Sequence, residues 1–83
     1  MNKIHNLEIN KNATSYQMWA KFLEEENELL KALDNRYNDN IIEELLDVIQ
    51  CCYGLAYTLG INLGEHIEKH NKKLLSRGHK FID

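Results

Sequence analysis

Proline is absent from this 83-residue sequence, cysteine occurs only twice, and there is no surplus of positive charge: ten Lys and Arg stand against thirteen Asp and Glu. Each shortage excludes something. With no proline, internal repeat or low-complexity stretch to mark a linker, the length admits one small soluble domain. A net charge of −3 argues against a protein that neutralises nucleic-acid phosphates over a broad surface, so no nucleic-acid polymer is expected as a partner. No apolar run approaches the roughly 20 residues that a bilayer span requires, and the opening MNKIHNLEIN lacks the apolar core of a secretory signal. The expectation is a cytoplasmic protein away from membranes. Cys51 and Cys52 are adjacent, so a bridge between them would be strained; they are expected to be buried thiols in a reducing compartment.

What is present fits a folded chain. Hydrophobic residues make up 43% and charged residues 28%, which is too apolar for disorder at this net charge. A chain of this size buries only about 60% of the surface it exposes when unfolded. Without disulfides to compensate, the missing core is expected from a second copy, in a homodimer or homotetramer.

Start and stop signals predict an all-α fold of three main helices in an antiparallel bundle, with a four-helix-bundle-type core completed by oligomerisation. Residues 1–13 show no sustained periodicity and are expected to be a leader or short extra turn ahead of a helical domain over residues 14–83. Thr14 and Gln17 form a capping box for a first helix running to about Leu33, with Tyr16, Trp19, Phe22, Leu23, Leu29, Leu30 and Leu33 as its apolar positions. After the turn cluster DNRYNDN, Asn40 and Glu43 offer a second box for a helix that Gly60 closes. Its wide apolar face, including Ile41, Leu45, Val48, Ile49, Cys52, Leu55, Ala56 and Leu59, predicts the most buried element. Asn62 and Glu65 open a third helix, about Leu63 to Ser76, with Gly78 as a left-handed cap. Short connections make successive helices antiparallel neighbours.

Acidic residues then point to chemistry. Helix one carries Glu24, Glu25, Glu26 and Glu28, and such crowding costs helix stability by roughly 0.2–0.5 kcal/mol for a like-charged pair one turn apart. Glu25 and Glu28 leave on one side of the helix at the border of its apolar stripe, and Glu44 and Asp47 repeat the arrangement on helix two. If these helices pack antiparallel, four carboxylates converge and call for a hard divalent cation, Mg²⁺ with Mn²⁺ as substitute. No glutamate is followed three residues later by histidine, which excludes the ferritin-type di-iron pattern. A solvated acidic face is the plainer reading of either pair alone. Helix three adds a cationic strip, His66, Lys69, His70, Lys73 and Arg77, which suits anionic groups or simply complements the helix dipole. Glu26 falls in the middle of the apolar stripe. Tyr16, Gln17, Trp19, Tyr53 and Tyr57 could contact a base but are more readily packing residues.

In order and spacing these elements resemble the MazG family of all-α nucleoside triphosphate pyrophosphohydrolases. Its Glu-Glu-x-x-Glu, Glu-x-x-Asp and Asn-x-Lys-x-x-x-Arg elements stand here as Glu24-Glu25-Glu26-Asn27-Glu28, Glu44-Leu45-Leu46-Asp47 and Asn71-Lys72-Lys73-Leu74-Leu75-Ser76-Arg77. The resemblance covers about residues 16–78. It implies Mg²⁺-dependent hydrolysis of a nucleoside triphosphate to monophosphate and pyrophosphate, with Glu25, Glu28, Glu44 and Asp47 as metal ligands. Glu24 would then be an outer or water-orienting catalytic residue, and Asn71, Lys73 and Arg77 would contact the nucleotide. A non-catalytic nucleotide binder and a structural helical adaptor are the competing functions.

Overall fold

The computed structural model describes residues 2–35 and 38–83. Three α-helices follow one another, α1 over Ser15–Asn35, α2 over Asn38–Thr58 and α3 over Ile67–Ser76, with 3-10 turns at Glu8–Asn12 and Leu63–His66. No strand occurs among the described residues.

Helix α1 starts where the sequence says it should. The Thr14 backbone N–H donates to Gln17 Oε1 at 2.9 Å and the Gln17 N–H donates to Thr14 Oγ1 at 3.1 Å, a reciprocal box that satisfies two otherwise orphaned donors. Helix α2 differs. It begins at Asn38, so Asn40 and Glu43 lie inside the helix and not at its cap. Helices α2 and α3 end alike: Gly60 at φ 74° and Gly78 at φ 90° take the left-handed conformation, which lets the next N–H reach back five residues, Ile61 to the Ala56 carbonyl and His79 to that of Leu74. The Asn62 box does not form, because its side chain meets the Glu65 carboxylate at 3.4 Å and caps no backbone group; the chain there winds as a 3-10 turn before α3 begins.

The fold centres on an antiparallel hairpin of α1 and α2. Its ends are pinned at Ser15 and Thr58, whose hydroxyls bond at 3.2 Å. Along α1 the buried and half-buried positions are Ser15, Met18, Phe22, Glu25, Leu29 and Ala32, and every other described side chain of that helix is exposed. Along α2 the matching row is Ile41, Glu44, Val48, Cys51, Leu55 and Thr58. Alternating steps of three and four are the mark of a coiled-coil seam.

This seam corrects the expected apolar stripe. Trp19, Leu23, Leu30 and Leu33 are each about half exposed or more, and so are Ile42, Leu45 and Leu59, with Ile49 close behind. Cys51 is buried as expected, but Cys52 is exposed because it stands one residue off the seam. The core is therefore thin: Met18, Ala32, Cys51 and Ala56 are its buried hydrophobic side chains. Helix α3 also departs from expectation. It contacts the 3-10 turn that precedes it and does not pack along the hairpin; Leu74 alone in it is half-buried.

Gly54 lets the N-terminal turn join the hairpin. A Cβ there would stand 2.6 Å from Met18 Cε and 2.8 Å from Asn10 Nδ2, so any larger residue would force these two side chains to shift where the Glu8–Asn12 turn settles on α2. Glycine in a helix interior costs about 1 kcal/mol relative to alanine, which the close packing offsets.

Candidate metal centre

Hairpin register decides which acidic residues meet. Each residue turns a helix by about 100°, and the two helices run in opposite senses, so positions one residue before the seam fall on the same face of both helices. That face carries Gln17, Lys21, Glu24 and Glu28 from α1 and Glu43, Asp47 and Gln50 from α2. Positions one residue after the seam fall on the opposite face; apart from the buried Ala56 they are exposed, most of them apolar, and they include Glu26. Glu26 thus interrupts an outward apolar stripe, away from the other acids, and is itself exposed.

Glu25 and Glu44 occupy the seam itself, deeper than the expected border position. The Glu25 side chain is only 14% exposed, and one carboxylate oxygen of Glu44, Oε2, is buried with no hydrogen-bond partner among the described residues. Glu25, Glu44 and Asp47 each offer one oxygen within 4.8 Å of the others. Crowding has the expected electrostatic result: burial of Glu44, followed by the charges of Glu25, Asp47 and Glu28, raises its pKa above the ordinary glutamate value of 4.5.

Glu28 stands outside this triad. Its carboxylate pairs with Lys31 at 3.5 Å, while its charge still acts on Glu44. Glu24 is on the same face and lies 3.7 Å from Lys21. Among the described residues the cation paired with the triad is Lys21, whose ammonium lies 3.0 Å from Glu25 and whose pKa that contact raises. Lys21 stands one turn before Glu25 and is not among the residues that the acidic motifs mark. Cys51 sits against the same group, and burial followed by the Glu25 charge pushes its thiol pKa up, which keeps it protonated and unreactive.

The remaining candidates are apart from the acids. Asn71, Lys73 and Arg77 are exposed on or just after α3, and α3 does not pack along the hairpin, so a single chain leaves them outside the cluster. Of the aromatic candidates, Trp19 stacks on Phe22 at 5.4 Å between centroids and is half exposed on the outward face, and Tyr16 is fully accessible to solvent. Tyr53 and Tyr57 line a separate cavity with the N-terminal residues and the Gly60–Ile67 loop. Gln17 does border the acidic face, in the wall of a cavity of about 660 Å³ that also contains Lys21, Glu25 and Asp47.

Two antiparallel helices with facing carboxylates, one of them raised in pKa and with a buried oxygen short of a partner among the described residues, make an all-helical protein with an acidic cluster at its hairpin. Residues 7–80 match the MazG-like family, and the chain belongs to it. That family is associated with nucleoside triphosphate pyrophosphohydrolases and is typically metal-dependent. No curated protein and no solved structure matches the chain. Among the described residues no helix is long and apolar enough to cross a membrane.

Proposed function

We propose that this protein is a Mg²⁺-dependent nucleoside triphosphate pyrophosphohydrolase that converts (d)NTPs, non-standard ones included, to monophosphate and pyrophosphate. One observation carries the reading: three carboxylates converge at a helical seam with a buried, unpartnered Glu44 oxygen, in a chain of this family. A buried carboxylate oxygen without a donor is costly, and a cation is the partner that satisfies it without requiring protonation.

The donor set fits the ion. Oxygen ligands alone select Mg²⁺, or Mn²⁺ in its place, over softer metals. Glu25, Glu44 and Asp47 would hold it, with Glu28 joining once its side chain leaves Lys31. When bound, such an ion supplies Lewis acidity toward phosphate oxygens and water. The chain's own groups do the rest. Lys21 neutralises part of the Glu25 charge and keeps that carboxylate in its seam position. Hydrolysis joins a water oxygen to phosphorus, breaks the α–β anhydride and releases pyrophosphate, and Glu24 or Glu28 on the same face can accept the water's proton. No covalent nucleophile is needed.

A second copy completes this picture. The outward stripes of α1 and α2 lie on one face of the hairpin, so Trp19, Leu23, Leu30 and Leu33 share a face with Ile42, Leu45, Ile49 and Leu59, an apolar surface interrupted by Glu26. Pairing it with its equal gives a four-helix core, in a dimer or a dimer of dimers. It also offers a route by which Asn71, Lys73 and Arg77 of one copy reach the nucleotide held by another. Incubation with Mg²⁺ and a panel of canonical and modified (d)NTPs tests the activity: equimolar monophosphate and pyrophosphate are expected, and retention of intact triphosphate would leave only a binding protein.

A further inference from the structure

Among the described residues Asn10 is the one buried polar side chain, 6% exposed, and its carboxamide has no hydrogen-bond partner there. Its turn does not require that side chain. The Asn10 N–H donates to the Leu7 carbonyl at 3.0 Å and its carbonyl accepts from the Ala13 N–H at 3.2 Å, so the backbone alone closes the 3-10 turn. The two donors and the acceptor of that amide are thus engaged by no protein group among the described residues, which leaves them available to a ligand.

Asn10 lines the 660 Å³ cavity together with Glu25 and Asp47. That size is within the range of small-molecule sites, roughly 300–1,000 Å³. The cavity has two kinds of wall. Leu7 and Met18 make it apolar near Asn10, whereas Lys21, Glu25 and Asp47 make it ionic at the other side. The two glutamines in the wall are engaged, Gln17 Oε1 accepting from the Thr14 N–H and Gln50 Nε2 donating to the His5 carbonyl, while Asn12 in the same wall is exposed and Asn10 is buried. Gly54 leaves room for the Asn10 amide, since a Cβ there would stand 2.8 Å from its Nδ2.

We infer that Asn10 reads the base of the nucleotide: the apolar part of this cavity takes the nucleobase, and the Asn10 carboxamide pairs with an adjacent donor and acceptor on its edge. The inference rests on the reading of the carboxylate end as the phosphate end. A nucleobase suits the space because it is flat, largely apolar on its faces and polar only at its rim. An asparagine amide matches such a rim with one N–H and one C=O, as it does when it pairs with adenine. Asn10 is then a specificity-determining residue, and it lies ahead of the first long helix, outside the acidic motifs.

Binding of nucleosides and nucleoside monophosphates without divalent ion, alongside turnover of the triphosphate panel with Mg²⁺, tests this on wild type, Asn10→Ala and Asn10→Asp. Wild type is expected to rank the bases. Asn10→Ala should weaken the favoured base about tenfold and level the ranking, with Mg²⁺ binding unchanged. Asn10→Asp, which keeps the shape but can only accept, should shift preference toward bases with an exocyclic amino group. In isotope-labelled wild type the favoured nucleoside should also move the Asn10 side-chain amide resonances, a readout that needs no variant to fold. A ranking that collapses in Asn10→Ala while no triphosphate is hydrolysed would sink the hydrolase reading and keep this one. Absence of any ranking in wild type, a ranking untouched by Asn10→Ala, or unmoved Asn10 resonances would overturn it, whatever turnover shows.

Discussion

Glu44 concentrates the electrostatic tension of this fold. It sits in the seam where a leucine or alanine would pack, and it faces two other carboxylates. Its pKa is raised in the folded chain, so the metal-free protein gains stability as pH falls from neutral through that raised value toward 4.5, and loses it as pH rises. Glu44→Gln removes the charge but keeps the shape. Thermal denaturation in chelator should therefore find the variant more stable than wild type at neutral pH, with the gap closing on acidification. A constant gap would show that Glu44 carries no raised pKa. Lys21, 3.0 Å from Glu25, offsets part of the negative charge gathered there.

At the scale of elements, local chemistry was the legible part. The Thr14 and Gln17 box and the two terminal glycines act over three to five residues, and the structure holds each as the sequence implies. Thr14→Ala should cost about 1 kcal/mol, read as a fall in melting temperature of roughly 4–8 °C for a domain this small. Burial was less legible. Apolar residues occupy both the seam and the positions one residue beyond it, so periodicity alone yields a single broad stripe and cannot separate the inward row from the outward one. Glu25 and Glu44 were placed at the margin for that reason, although they are in the seam. Asn10 was invisible for another reason: its role depends on Gly54, 44 positions away, and nothing local marks the pair. The start of α2 at Asn38 was missed because several Asn and Asp residues there compete for the cap. Helix α3 illustrates the limit of short connections as a guide, since its amphipathic pattern promises packing that one chain does not provide. Its strip makes a separate prediction. Lys73→Ala should raise KM for triphosphate several-fold, leaving Mg²⁺ binding intact because an ammonium has no lone pair for a metal; unchanged kinetics would remove Lys73 from the site.

For the molecule as a whole, one face of the hairpin holds charge and the opposite face is apolar. The charged face is finished within one chain by the N-terminal turn, whereas the apolar face is left open. Leu30, 57% exposed in the middle of that face, is the natural probe. Leu30→Glu would shift a typical surface site by no more than about 0.5 kcal/mol. Here it should convert an oligomer to monomer in sedimentation and lower the melting temperature in a concentration-dependent way. A variant that sediments like wild type would mean that this face is not the contact between copies.

The central claim is that Glu25, Glu44 and Asp47 hold a divalent cation together. Titrating Mg²⁺ into the metal-free protein while following its melting temperature tests this most directly, because an ion that binds only the folded chain stabilises it by mass action. Saturable stabilisation is expected in wild type, and its loss in Asp47→Asn and in Glu44→Gln with helical content preserved. Equal stabilisation of wild type and both variants, or none in wild type, would contradict the claim.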